Sequence, residues 1–288
     1  MSGLTFMAVH AHPDDEASSS GGVLALLARQ GVRTVLVTCT NGEYGDAPGG
    51  LKPEDDGHDA DEVAALREVE LDTAVAALSV SRLVRLGYRD SGMRGWPQND
   101  DPRSFWSAPL ADAAARLVEV LEAERPQVVM TYNEHGFYGH PDHIQAHRIT
   151  LAAIEQLDYR PTLYFNAIPE TVMARWRERW EREERERREA DAARGVVREP
   201  EPEDVGADGE EIEFGTPDDQ IDVAVDVSSV ASAKHAALAA HASQLSDSFW
   251  MKMTPDEFKV AMGHEWFVRA LNPLGLSGTA DDIMAGYR

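Results

Sequence analysis

Two imidazoles and three carboxylates crowd the seven-residue run His10-Ala11-His12-Pro13-Asp14-Asp15-Glu16. The run follows an apolar segment, Leu4–Val9, and precedes small residues that open a helix. Charge gathered at the end of a buried strand is costly unless it is paired or holds a metal. The cluster therefore predicts a metal site with a working carboxylate beside it.

A second cluster, Tyr138-Gly139-His140-Pro141-Asp142-His143, follows a later strand-like segment. A catalytic zinc takes three His or carboxylate ligands and keeps one position open; His12, Asp15 and His143 supply such a set. Asp14 adjoins a ligand without being one, so it is the natural general base for a water molecule acidified by the metal. His140 is placed to donate to a developing oxyanion or to protonate a leaving amine. Tyr138 is a second oxyanion donor or a lid residue. Asp142 either supports the site from behind or N-caps the following helix. Glu16 supports His12 or Arg67, and His10 is a supporting or core histidine. His147 also reads as supporting. His241 has no derivable role, and His58, His135, His235 and His264 read as structural or solvated.

Positioning these clusters requires alternating strands and helices. Strand patterns cover Leu4–Val9, Val32–Cys39, Arg82–Leu86, Val128–Tyr132 and Thr162–Phe165. Helical periodicity covers Ser18–Gln30, Asp61–Leu78, Leu110–Glu124 and Ile144–Leu157. Repeated strand–helix–strand units imply an α/β fold of Rossmann-like type: a mostly parallel sheet with helices on both faces. Ligands in such sheets bind beyond the carboxyl ends of the strands, where strand order switches. Strands one and four flank that point, and the two clusters follow them. Beyond this core (1–168), an insertion (169–220) holds the Arg/Glu-rich helix Glu170–Arg194, read as a solvated face before a lid or an oligomer contact, and an acidic loop, Glu199–Gly209. A C-terminal α+β part (221–288) completes the same domain with an edge strand at Ile221–Val227, an Ala-rich helix at Val230–Gln244 and a last strand at Glu265–Ala270.

Composition bounds the partners. The 288 residues are 43% apolar, enough for a proper core, and carry a formal charge of −24. Such acidity disfavours nucleic acid and anionic membranes. The single cysteine, Cys39, excludes an internal disulfide and sits in a strand pattern, so it reads as a buried inert thiol. No secretory leader pattern and no apolar run near the ~20 residues of a membrane span are evident, so a cytoplasmic location is expected. No Gly-x-Gly-x-x-Gly follows the first strand, which counts against a non-catalytic nucleotide-binding Rossmann protein, since carboxylates there would repel a pyrophosphate.

The pair His12-Pro13-Asp14-Asp15-Glu16 and His140-Pro141-Asp142-His143 resembles the signature of the PIG-L/LmbE family of zinc-dependent de-N-acetylases. The resemblance covers Leu4 to Phe165 and, more weakly, Ala236–Gln244, and leaves 170–215 outside. It implies zinc on His12, Asp15 and His143, with iron(II) able to occupy the same ligands. It also implies a base at Asp14, an oxyanion stabiliser at His140, and sugar binding by Arg67 and Asp90. From its own position Arg67 reads equally as a surface arginine, whereas Asp90, at a strand mouth, suits paired hydroxyls. Glu43, in Asn41-Gly42-Glu43, either lines the same pocket or is a solvated turn residue. The implied substrate is a small amino-sugar glycoside losing its N-acetyl group, as in the mycothiol-pathway deacetylases. Ser19 favours that subgroup over the mycothiol S-conjugate amidases, where the resemblance implies a lysine.

Overall fold

The computed structural model describes residues 3–194, 215–245 and 248–288. The acidic loop expected at Glu199–Gly209 lies outside them.

Seven strands form one sheet: β1 (Thr5–His10), β2 (Arg33–Thr40), β3 (Arg82–Tyr88), β4 (Val128–Thr131), β5 (Thr162–Ala167), β6 (Val223–Asp226) and β7 (His264–Leu271), in the order β3-β2-β1-β4-β5-β7-β6. The first five are parallel; β7 runs antiparallel between β5 and the edge strand β6. The helices are α1 (Asp15–Ser19), α2 (Gly21–Arg29), α3 (Ala60–Leu78), α4 (Leu110–Glu124), the short α5 (Gly136–Gly139), α6 (Pro141–Glu155), α7 (Glu170–Ala193), α8 (Ala231–Ala240), α9 (Ala242–Leu245) and α10 (Pro255–Met262).

Every residue of β1 is buried, because both faces are covered. Phe6 and Ala8 join one core with Leu24, Leu71 and Leu238, beneath α2, α3 and α8. Met7 and Val9 join the other with Leu117 and Ile149, beneath α4 and α6. Strand alternation thus assigns successive side chains to opposite layers. The expected neighbourhood of strands one and four holds: β1 pairs with β4 on one side and β2 on the other. Their carboxyl ends open side by side at the switch in strand order.

The helix expected over Ser18–Gln30 is two helices, broken at Ser20. The break serves β7. Ser20 gives α2 no side-chain cap; the buried carboxylate of Glu265 does so instead, accepting from Gly22 N and Val23 N at 2.7 Å each and from Lys234 Nζ at 2.7 Å. Gly22 has to be glycine, because a Cβ there would fall 2.5 Å from Val227. An anion on a helix N-terminus is favourable, and here it also neutralises a buried lysine. Glu265→Ala would strand that ammonium and two helix N–H groups, and is expected to cost about 3–5 kcal/mol, read as a lowered denaturation midpoint; an unchanged midpoint would contradict the capping role. The expected Val230–Gln244 helix is likewise split, at His241, into α8 and α9.

Candidate functional site

β1 ends in a tight turn that carries His12, Pro13 and Asp14 into α1, and β4 leads through α5 into α6. Three candidate ligands from these turns meet. His12 Nδ1 lies 3.3 Å from His143 Nε2 and 3.4 Å from Asp15 Oδ2, while Asp15 Oδ1 lies 3.4 Å from His143 Nε2. Ligands held at zinc's usual bond lengths of about 2.0–2.2 Å in a tetrahedron stand roughly 3.3–3.6 Å apart, and the contacts among these three side chains are of that order. His140 also approaches: the nitrogens of His12, His140 and His143 lie within 4.8 Å of one another.

Each of these candidate ligands is held from behind. His12 Nε2 donates to Asp142 Oδ2 at 3.2 Å, leaving the Nδ1 lone pair for the site. His143 Nδ1 donates to the Gly136 carbonyl at 3.1 Å, leaving Nε2. That approach needs Gly136, whose φ is +63° and where a Cβ would sit 2.8 Å from Ile144 N. Asp15 Oδ2 accepts from His12 N at 2.8 Å and from the Tyr132 hydroxyl at 2.7 Å. Such outer contacts fix tautomer and ring direction. Asp142 in turn accepts from Ser91 N at 2.9 Å and from the Ser91 hydroxyl.

The electrostatics favour a cation. Burial works against a proton on His12, but Asp90, Asp142 and Asp15 outweigh it and hold the imidazole well above its ordinary range. Burial would raise Asp15, but His143 and His12 outweigh it and keep the carboxylate well below its ordinary range. Burial, with His12 and His143 adding to it, holds His140 well below the usual imidazole value. His140 is therefore neutral, and since its Nδ1 accepts from Asp142 N at 3.1 Å, its proton sits on Nε2.

Asp14 stands at the rim, its side chain 23% exposed, with Oδ2 2.9 Å from Arg67 Nη2. Burial raises its carboxyl to about 6 against the pull of Arg67. Its backbone is strained, with φ at 121° in a residue that has a Cβ. Arg67 is no surface arginine: 4% exposed, it also binds the Gly42 carbonyl at 2.7 Å and that of Pro13. Asp14, Arg67, Asp90, Tyr138 and His140 line one cavity of about 160 Å³ with the metal-side residues His12 and Asp15, closed by Tyr44, Met93, Trp96 and Gln244. Burial and the nearby Asp15 and Asp14 keep the Tyr138 phenol well above its ordinary range, so it remains a donor. A roomier apolar cavity of about 420 Å³, walled by Trp176, Trp250 and Trp266, holds none of the clustered histidines.

Three expectations are corrected, and Asp142 takes the supporting one of its two readings. Glu43 neither lines the cavity nor sits in water; buried behind Asp90, it accepts from Asp90 N at 3.0 Å and pairs with Arg89 at 3.1 Å. Asp142 does not cap α6; His140 does, with Pro141 preset for the first turn, which starts the helix three residues before Ile144. Glu16 contacts neither His12 nor Arg67; it accepts from Asp14 N at 3.0 Å and from His241 Nε2 at 2.6 Å. His241 therefore has a place in the site after all. His10 does stand behind the ligands, 3.2 Å from the Tyr132 hydroxyl and 2.8 Å from Ser20 Oγ, and His147 binds the Tyr132 carbonyl at 2.9 Å.

Tyr132 and Ser91 were missed. Both look like ordinary strand-end residues, and only the packing brings them to Asp15 and Asp142. Tyr132 also accepts from Ala11 N at 2.9 Å and stacks on His143 with ring centres 4.1 Å apart. Tyr132→Phe is expected to weaken metal affinity by about 10- to 100-fold in a chelator competition; unchanged affinity would contradict its orienting role.

The PIG-L pattern, described as GlcNAc-PI de-N-acetylase, matches residues 7–154, which span both clusters. The chain belongs to the PIG-L family. This PIG-L chain is a hydrolase acting on an amide. It is 40% identical to the 1D-myo-inositol 2-acetamido-2-deoxy-alpha-D-glucopyranoside deacetylase of Acidothermus cellulolyticus, over 98% of this chain and 94% of that one. The similarity therefore runs through 170–215 instead of stopping at Phe165. In fold, it resembles the N,N'-diacetylchitobiose deacetylase of Pyrococcus horikoshii (TM-score 0.57, 19% identity, 94% of this chain and 87% of that one). It also resembles the 4-carboxy-2-hydroxymuconate hydratase GalB of Pseudomonas putida KT2440 (TM-score 0.58, 18% identity, 95% and 99%). The fold thus hosts more than one reaction, and function has to be argued from the site.

Proposed function

We propose that this PIG-L chain is a zinc-dependent de-N-acetylase acting on the N-acetylglucosaminyl-inositol that precedes mycothiol. The observation that carries the reading is the meeting of His12, Asp15 and His143, with contacts of 3.3–3.4 Å between their side chains and each pinned from behind, beside the Arg67-paired carboxylate of Asp14 at the cavity rim. Identity of 40% across 98% of the chain to a deacetylase of that substrate supports the choice of sugar.

His12, Asp15 and His143 would hold the ion, zinc or iron(II). When bound, it supplies Lewis acidity for the amide carbonyl and makes a water molecule acidic near neutral pH. The protein does the rest. Asp14, anchored by Arg67 but open to the cavity, takes the proton of the attacking water. His140 offers Nε2–H to the carbonyl oxygen as negative charge develops there, and Tyr138 offers its hydroxyl to the same atom. His140 is a donor in this scheme and not an acid, since its surroundings hold it neutral and Nδ1 is engaged. The proton that Asp14 gained then passes to the leaving nitrogen, which departs as the free amine while acetate forms. Asp90 and Arg67 hold sugar hydroxyls; Asp90 Oδ1 already accepts from Gly92 N at 2.8 Å, which fixes the carboxylate at the cavity wall. Residence in the cytoplasm is part of the proposal; among the described residues no helix is long and apolar enough to cross a membrane.

The test is a side-by-side assay on 1D-myo-inositol 2-acetamido-2-deoxy-α-D-glucopyranoside and on a mycothiol S-conjugate. Faster acetate release from the first supports the reading. Faster amide cleavage of the conjugate would reassign the chain as an S-conjugate amidase.

A further inference from the structure

The C-terminal part of the chain reaches the reaction centre through one histidine. His241 occupies the break between α8 and α9 and is wholly buried, as is Glu16. Its Nε2 donates to Glu16 Oε1 at 2.6 Å, while Glu16 Oε2 accepts the backbone N–H of Asp14 at 3.0 Å. Asp14 is held at a φ of 121° and makes no side-chain cap to α1; its carboxylate, paired with Arg67, lines the cavity. Such a conformation persists only where surrounding contacts enforce it. Arg67 fixes the carboxylate end; Glu16 fixes the backbone end.

The segment that delivers His241 is itself tied down. Ser243 donates through N and Oγ to Glu70 at 2.8 and 2.7 Å. Gln244 exchanges two hydrogen bonds with the backbone of Asp46, at 3.0 and 2.9 Å. Without His241, Glu16 would lose the donor that sets its rotamer.

We propose that His241 is a positioning residue for the reaction: through Glu16 it holds Asp14 in the strained conformation that aims its carboxylate at the cavity. This rests on Asp14 being the base. Nδ1 of His241 has no hydrogen-bond partner among the described residues, so only Nε2 is required, and glutamine, whose amide nitrogen can stand where Nε2 does, should substitute.

The experiment compares His241→Leu and His241→Gln in the zinc-loaded enzyme, following acetate release from 1D-myo-inositol 2-acetamido-2-deoxy-α-D-glucopyranoside together with metal content. His241→Leu is expected to lower kcat by about 10²-fold with KM and bound zinc unchanged. His241→Gln is expected to recover most of that loss. The Glu16→Gln/His241→Leu double variant should be no slower than the slower single variant, because both act through one contact. If His241→Leu does not fold, His241→Asn, polar but too short to reach Glu16, takes its place with the same expected loss. Wild-type kcat in His241→Leu, equal loss in His241→Gln, or loss of zinc in step with kcat would each overturn the inference. A fully active Asp14→Asn would instead overturn the base assignment, so the two failures are told apart.

Discussion

Asp14→Asn is expected to lower kcat by about 10²- to 10⁴-fold while the protein stays folded and keeps its metal. The substitution is conservative everywhere except in proton transfer. Asparagine retains an oxygen to accept from Arg67 Nη2, which now bonds Asp14 Oδ2 at 2.9 Å, and its backbone N–H can still reach Glu16. It cannot take up a proton. The carboxyl it replaces is raised to about 6 by burial despite Arg67, so proton uptake and release are both accessible to it near neutral pH. None of the ligand atoms belongs to Asp14, so stoichiometric metal should remain. A variant with full rate would remove Asp14 from the mechanism. A variant that has lost its metal would mean that the residue supports the ligands instead.

His143→Ala is expected to abolish activity by removing the site's capacity to hold the ion. Outer contacts alone are worth about 10- to 100-fold in metal affinity, so loss of a ligand should exceed that range. His143 is the cleaner ligand to remove. Deleting His12 would leave the buried Asp142 carboxylate without its imidazole partner at 3.2 Å and confuse metal loss with damage to the fold. His143 gives up its bond to the Gly136 carbonyl, its contacts with His12 and Asp15 and its stacking on Tyr132, but leaves Asp15 its bonds from His12 N and Tyr132. Metal analysis of the purified variant checks the point: near-zero metal in a folded protein is predicted, and stoichiometric metal would exclude His143 as a ligand.

The site was legible in the sequence where its residues are contiguous. His12, Asp14 and Asp15 share one turn, His140 and His143 another, and the parallel α/β pattern alone puts those turns at adjacent strand ends. The pattern also gave the strands, including the edge position of β6. What it could not give depends on contacts across the fold. Glu16 looks like a partner for His12 because it is near in sequence, yet its donor comes from His241, 225 positions away. Tyr132 holds Asp15, and Ser91 holds Asp142, through geometry that no local spacing encodes. The helix break at Ser20 is set by Glu265 on β7, and propensity cannot register a carboxylate arriving from the other end of the chain. Asp142 carried two readings, support of the site or a helix cap; Pro141 starts the helix and His12 claims the carboxylate, so the supporting reading holds.

The most direct test is to strip the purified chain with a chelator and titrate zinc back while following acetate release from 1D-myo-inositol 2-acetamido-2-deoxy-α-D-glucopyranoside. One ion held by His12, Asp15 and His143 predicts negligible release from the stripped protein, and a rate that rises linearly and levels at one zinc per chain. Full-rate release from the stripped protein, or none from folded protein at any zinc level, would contradict it.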